Sequence, residues 1–333
     1  SETGSVVTVN YSDPECLADT NLPTALDKNT KRCYPVKWIP PTNPTGGEDP
    51  QPRTDFFHKY VVTQVTESDP TGGAPLKETN YSYTGGGAWA YDDESPISPS
   101  KYRTWGIWRG YNTVTTTVGE ASGTRSKTTA LYYRGMDGDK QTSGTRSETI
   151  TDSQGVSKTD SEEFAGQLRE EITYNGTSGQ EVSAKVITPW SRQTSSDGHS
   201  YGTVRGYMVH TGTEVTRTRL NSGSTLTSTS TTTYDPTSGL PVTVETDAGG
   251  TKDCTRTWYA TDETKWMLSY PKRVEKISAD CSATPNRTND PKTTDLVSET
   301  RVSYDNQAYA AAPTTGDATR TERLVGYNTD GSG

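Results

Sequence analysis

The sequence is short of aliphatic material: hydrophobic residues make up 28% of its 333 positions, with three Phe, three Met and a mean hydropathy of −0.86. That scarcity excludes a thick aliphatic core and raises the question of how the chain offsets the entropy of ordering. No run approaches the roughly 18 consecutive apolar residues of a spanning helix, so membrane insertion of that kind is not expected. Positive charge is also scarce, with 33 Lys and Arg against 42 Asp and Glu, a net charge of −9 and a pI near 5.0. General nucleic-acid binders and proteins of anionic membrane surfaces need positive patches, so neither partner is expected. The three histidines, His58, His199 and His210, are scattered and no C-x-x-C occurs, which leaves a zinc site without ligands. Ser1-Glu2-Thr3-Gly4 has neither the basic start nor the apolar run of a secretory leader. Helical periodicity is nearly missing; residues 160–171 offer only Phe164, Ala165 and Leu168 as an apolar stripe, enough for about two turns.

Aromatic and β-branched residues are plentiful instead. The 19 Tyr and 7 Trp supply large buried areas with a polar handle. Thr and Val suit a pleated, half-buried surface. Together they favour order over disorder, and a thin or hollow β-structure in which tyrosines and threonine ladders replace a thick core. Residues 1–55 are a Pro- and Asp-rich N-terminal segment, in which Tyr34 to Pro41 could form an edge strand and 42–52 a loop. From residue 56 to 333, alternating runs between turn signals predict strands over 60–66, 112–118, 125–133, 169–174, 181–188, 214–220, 224–234 and 241–246. Asn175-Gly176, Asn221-Ser222-Gly223 and Asp235 to Gly239 are the hairpin turns.

Four cysteines fall as two local pairs, Cys16 with Cys33 and Cys254 with Cys281. Three connectivities are possible, and four free buried thiols are the alternative. Local pairing is favoured because each pair brackets a Pro-, Asp- and Asn-rich stretch. Disulfides imply an oxidising compartment, and hence a secreted or cell-surface protein.

A loose repeat runs through the chain. Ser230 to Asp235 and Glu299 to Asp305 both carry a Thr/Ser/Arg strand that ends on Tyr and passes into an Asp-led turn, Tyr234-Asp235 and Tyr304-Asp305. Tyr174-Asn175 and Tyr91-Asp92 are degenerate copies. The expected logic is a Tyr ring packed on a neighbouring strand with a solvated hydroxyl, and an Asp that bonds backbone N–H groups two residues on. Stacked copies would bury one another's tyrosines.

These units resemble the YD repeats of the RHS family, the large exported bacterial proteins related to teneurins. The run at residues 91–120, YYRGMDGDK (132–140), CTRTWYA (254–260), YPKRVE (270–275) and the segment 298–322 are similar to actinobacterial RHS-type proteins. The resemblance implies a curved or spiralling sheet of repeated antiparallel hairpins, part of a hollow shell that encloses or presents a toxin or effector polypeptide. It also implies that the partners are the remaining repeats and the enclosed or C-terminal chain. Against the full family pattern, these 333 residues are expected to hold too few repeats to close a shell and to form a part of one.

Asp92-Asp93-Glu94, Glu162-Glu163 and Glu170-Glu171 are the carboxylate clusters, but neighbours in a strand point to opposite faces and do not pair across a cleft. Asp137-Gly138-Asp139 resembles the start of a calcium loop, yet Gln141 and Thr142 stand where an oxygen ligand and a glycine belong. No G-x-S-x-G elbow occurs, and Gly85-Gly86-Gly87 lacks the Lys-Ser/Thr of a phosphate loop. His210 reads as a strand-end surface residue, and His58 as a packing partner of Phe56-Phe57. Residues 101–111 interleave Arg and Trp, which could stack on bases or sugars. A local node of Trp105 and Trp108 capped by Arg103 and Arg109 is the simpler expectation. The expected function is a non-enzymatic shell segment without cofactor or metal. The alternative is a secreted adhesin or carbohydrate-binding β module using exposed Trp and Tyr.

Overall fold

The computed structural model describes residues 4–17, 20–41, 51–93, 98–200, 202–285, 287 and 295–327. Glu94, most of the expected 42–52 loop, and the two ends at Ser1 to Thr3 and Asn328 to Gly333 lie outside them. In chain order the first strands are β1 (Val6–Tyr11), β2 (Cys33–Trp38), β3 (Arg53–His58), β4 (Val62–Ser68), β5 (Lys77–Tyr91) and β6 (Trp105–Val118). Next come β7 (Ser126–Tyr132), β8 (Thr149–Thr151), β9 (Ser157–Thr159), β10 (Leu168–Tyr174), β11 (Glu181–His199) and β12 (Gly202–Arg219). The last are β13 (Thr225–Tyr234), β14 (Pro241–Ala248), β15 (Thr251–Asp262), β16 (Met267–Ile277), β17 (Leu296–Tyr304) and β18 (Ala318–Arg323).

Fourteen strands hydrogen-bond in the order β1-β4-β5-β6-β7-β10-β11-β12-β13-β14-β15-β16-β17-β18, a long antiparallel sheet not closed into a barrel. Strands β2 with β3, and β8 with β9, make separate two-stranded sheets. The all-β expectation therefore holds. Neighbours in the sheet are mostly neighbours in sequence: short turns join the strands from β10 to β16, and longer connections join β5 to β6, β7 to β10, β16 to β17 and β17 to β18. At the β12–β13 turn Leu220 N–H donates to Ser224 O at 2.8 Å, and Gly223 supplies the left-handed φ of +87°.

Three strands are longer than their alternation predicts: β6, β11 and β12. In β11 the extension is Pro189 to His199, and from Gln193 onward its side chains are exposed and carry no apolar alternation. Hydrogen bonding to neighbours continues after the pattern stops. The helical window at 160–171 is corrected: it holds one 3-10 turn, Glu162–Phe164, and then enters β10. Gly166 at φ +81° breaks the window after that single turn.

The chain divides into two compact units, Ser1–Val186 with Gln193–Val209, and Ile187–Arg192 with His210–Gly333. In the first unit the N-terminal segment packs onto β5 and β6. Tyr34 stacks on Trp89 at 4.6 Å between centroids, and the Trp89 indole N–H donates to Lys31 O at 2.7 Å. Gly87 donates to Thr30 O at 2.8 Å, and a Cβ there would stand 2.7 Å from the Trp108 ring. The Gly-rich run thus serves close approach. Strand β3 crosses the 55/56 composition boundary. In the same unit, buried Asp160 accepts the N–H groups of Arg134 and Gly135 at 2.8 and 2.9 Å and caps the turn that carries buried Met136.

The second unit buries Cys254, Ile277 and Ala260, but also Glu275 and Glu299. Polar side chains share both cores, since Arg169, at 1% exposure, lies 2.5 Å from Asp152. A chain so poor in aliphatics fills its interior with ion pairs and aromatic rings.

Candidate functional site

Four tyrosines share one geometry. Counting outward from the pairing of Thr213 with Thr231 puts Tyr234 opposite His210, and its hydroxyl donates to the next carbonyl, Thr211, at 2.7 Å. From Arg273 with Arg301, Tyr304 falls opposite Tyr270 and donates to Pro271 O at 3.0 Å. From Thr243 with Arg256, Tyr259 falls opposite Leu240 and donates to Pro241 O at 2.9 Å. From Gln64 with Asn80, Tyr83 falls opposite Val61 and donates to Val62 O at 2.6 Å. Each ring thus lies over the preceding strand and bonds the carbonyl one residue past its facing position. The expectation of a solvated hydroxyl is corrected: a half-buried phenol takes a backbone acceptor because leaving it unpaired is costly. Burial raises all four phenols above their ordinary pKa.

The turns after Tyr234 and Tyr304 are organised by their aspartates. Asp235 Oδ1 accepts from Thr237 N–H at 3.0 Å, Ser238 N–H at 2.7 Å and the Ser238 hydroxyl at 2.9 Å. Gly239 closes that turn at φ +70°, donating to Asp235 O at 2.9 Å. Asp305 itself sits at φ +57°, and its carboxylate gathers the N–H groups of Thr314, Thr315, Gly316 and Asp317. The Thr315 hydroxyl, with those N–H groups, holds the Asp305 carboxyl far below the usual carboxylate range. Ser238 does the same more mildly for Asp235. Asp69, Asp262 and Asp280 build turns of the same kind. The degenerate copies differ: Tyr174 lies under the Lys127 ammonium at 4.1 Å, and Tyr91 under Lys140 at 4.2 Å.

Sequence reasoning missed the most charged cluster. Arg256, Glu275 and Glu299 face one another in successive strands β15, β16 and β17. Arg256 lies 3.0 Å from Glu275, Arg273 bridges Glu275 and Glu299 at 2.7 and 2.9 Å, and Arg301 reaches Glu299 at 2.9 Å. Arg287, from the loop after Cys281, also bridges the two glutamates at 2.7 and 3.3 Å. Burial pushes Glu299 up, but the hydrogen bond and charge of Arg273, with Arg301 and Arg287, outweigh it and leave its carboxyl below the usual range. A general acid needs the opposite shift, towards neutral pH. Two adjacent carboxylates locked by four guanidiniums are suited to fastening strands and loop together. The Cys254–Cys281 disulfide fastens the same loop, as do Arg256 on the carbonyls of Cys281 and Ala283 and Glu245 on Cys281 N–H at 2.7 Å. Cys16 bonds Cys33, so both local pairings occur.

The expected Trp node separates into two cross-strand pairs. Trp105 packs edge-on against Tyr91 at 5.0 Å, and Trp108 against Trp89 at 4.7 Å, because each finds its register partner on β5. Trp108 extends a row through Tyr111 to Tyr83. Arg109 is held by Glu162 at 2.6 Å, and buried Arg103 donates to the carbonyls of Ser98 and Asp93, so neither caps a tryptophan as expected. Of the Glu pairs, Glu171 is exposed while Glu170 is buried and bonded to Ser153 at 2.6 Å, as the alternation of a strand requires. Asp137 accepts from Glu148 N–H and Asp139 from Tyr91 N–H, so the two carboxylates serve different segments. His210 is not at a strand end. It sits mid-β12, stacked with Tyr234 at 4.9 Å and with Trp190 at 6.0 Å. His58 packs on Tyr60 and accepts Glu15 N–H at 2.6 Å. Among the described residues no group of three or more His, Cys, Asp or Glu is placed to hold a metal ion.

The class these features define is an open antiparallel sheet of sequential hairpins, in which tyrosines bind each strand to the one before. Solved structures of Tc toxin chains share that fold. The crystal structure of TcdB2-TccC3-Cdc42 matches over 86% of this chain at 15% identity and a TM-score of 0.54. The Photorhabdus luminescens Tc holotoxin pore with a mutated TccC3 matches over 80% at 11% identity and a TM-score of 0.54. This chain spans 17% and 16% of the length of those chains. The likeness supports an RHS-like fold. No protein-family profile matches the sequence, and no curated protein matches it.

Proposed function

We propose that the chain is a non-enzymatic segment of a β-walled shell of the RHS/YD-repeat kind, which encloses or presents another polypeptide outside the cell. The observation that carries this reading is the repeated tyrosine anchor, set in a sheet with the fold of Tc toxin chains. A wall needs strands fastened to their neighbours without a second sheet behind them. Hydroxyl-to-carbonyl bonds, Asp-capped turns and the Arg–Glu lattice do this within the sheet itself. The remaining wall would come from further repeats, and the contents from an enclosed or C-terminal chain. Two disulfides fit an oxidising, extracellular setting. Electron microscopy of the protein purified from its native source tests the reading. Hollow particles holding protein density are expected, and a solid particle with no lumen would overturn it.

A further inference from the structure

Four guanidiniums surround two carboxylates in the lattice of β15, β16 and β17, which leaves two positive charges over in a chain of net charge −9. Register collects them at one end of the lattice. Trp258 pairs with Arg273, Arg273 with Arg301, and Arg301 with Glu322. Directly opposed residues of antiparallel strands share a face, so these four side chains form one row across β15 to β18. We propose that the Arg273–Arg301 pair in this row docks an acidic segment of another polypeptide, whose carboxylates take the outer edges of the two guanidiniums.

The inner edges already hold a carboxylate. Glu299 Oε2 accepts from Arg273 Nη2 at 2.9 Å and its Oε1 accepts from Arg301 Nε at 2.9 Å, so one carboxyl group spans both heads. Among the described residues no acceptor meets Nη1 of either head. The two side chains are 22% and 44% exposed, which puts those donors within reach of a partner. Like charges directly opposite one another across strands are unfavourable, and a second carboxylate on the open side relieves them. Both forks are also held flat before any partner arrives. Arg273 lies 4.4 Å from the Trp258 ring centroid, and Arg301 lies 5.3 Å from that of Tyr309. Beside Arg301 a cavity of about 150 Å³, lined also by Glu322 and Leu324, leaves room for the tip of an incoming side chain. The carboxylates on this cavity are paired, Glu299 with Arg273, Arg287 and Arg301, and Glu322 with Arg320 at 2.5 Å. Asp247 and Asp280 stand near Lys252 at the start of β15, away from the row. A long polyanion would run on over the surface of an acidic chain, so a segment with a few carboxylates is the better match. The proposal rests on the shell reading for the kind of partner, a polypeptide. Peptide binding is measured without reference to a lumen, so the two can fail separately.

The test is calorimetry of the full chain with a short polyglutamate peptide, beside polyglutamine, inorganic phosphate and a single-stranded oligonucleotide. Binding of polyglutamate in preference to the other three is expected, weakening as salt is added. Arg301→Gln should lower the affinity about tenfold, the loss of one charge-assisted contact. Lys77→Gln removes the same charge from an exposed pair in the first unit and should leave the affinity unchanged. Arg273 and Arg287 still hold Glu299 in Arg301→Gln, and its melting temperature checks the fold. Should that variant not fold, Arg301→Lys decides, since it keeps the charge and loses the fork; its affinity should fall by a smaller factor. No binding of polyglutamate, equal or tighter binding of any of the other three probes, unchanged affinity in the folded Arg301 variant, or an equal loss in Lys77→Gln would each overturn the proposal.

Discussion

Tyr304 is 9% exposed and still places its hydroxyl on a backbone carbonyl, so ring and hydroxyl make separable contributions. Tyr304→Phe keeps the ring against Tyr270 and loses one hydrogen bond, an expected cost of about 1 kcal/mol in urea denaturation. Tyr304→Ala also empties the ring's volume and should cost about 3–5 kcal/mol. Equal losses in the two variants would show that the ring is not packed. The Asp-led turn behind it titrates in a defined direction. The folded-state pKa of Asp305 lies below its ordinary 3.8, so its stabilisation is complete above that value and is lost as pH falls beneath it. Asp305→Asn should therefore flatten the acid limb of a melting-temperature profile. An unchanged acid limb would refute the turn's role. Asp139 has the opposite sign: burial raises its carboxyl, despite the Tyr91 N–H and nearby Arg146, so the folded state loses stability as pH climbs through that raised value. Asp139→Asn should remove that loss, making the variant relatively more stable at neutral pH than at pH below 3.8.

Strands β15, β16 and β17 are the most heavily fastened element. Glu275 and Glu299 are 0% and 2% exposed and adjacent across two strands, which only the surrounding guanidiniums make tolerable. Glu275→Gln should cost about 3 kcal/mol, the low end for a broken buried pair, because the arginine heads reach solvent. A cost below about 1 kcal/mol, the range of a surface pair, would sink the view of this lattice as a fastener. Little of it was legible in the sequence. Arg256, Glu275, Arg287 and Glu299 are far apart in the chain, and only strand register brings them together. Strands such as β10, β13 and β14 were legible, because alternation and Asn, Asp and Gly turns are local signals, whereas β15 and β16 were not among the expected strands. The tyrosine anchor was half legible. Tyr234 and Tyr304 precede Asp, whereas Tyr83 precedes Thr84 and Tyr259 precedes Ala260, so a search for the dipeptide passes over them. The Tyr34–Trp89 stack was hidden for a different reason: a Pro-rich segment gives no sign of which distant ring it will cover.

Across the whole chain, contacts run chiefly between strands adjacent in sequence, and stability in such an arrangement is close to a sum of nearest-neighbour terms. The terminal strands then have one neighbour each to hold them. Strand β1 is exposed along its full length, with Val7 at 60% and Tyr11 at 61%, and β18 is held on one side by β17. Within the second unit, β15 and β16 have neighbours on both sides, the arginine–glutamate lattice and a disulfide. Hydrogen exchange should therefore be graded. Amides of β1 and β18 should exchange first, and those of β15 and β16 last, near the global unfolding free energy. Reducing the Cys254–Cys281 bond should lower the protection of β15 and leave β1 unchanged, because the bond lies within the second unit alone. Uniform protection from β1 to β18 would mean that the sheet opens in one cooperative step. The additive wall, in which each strand is held by its own neighbours, would then have to be abandoned.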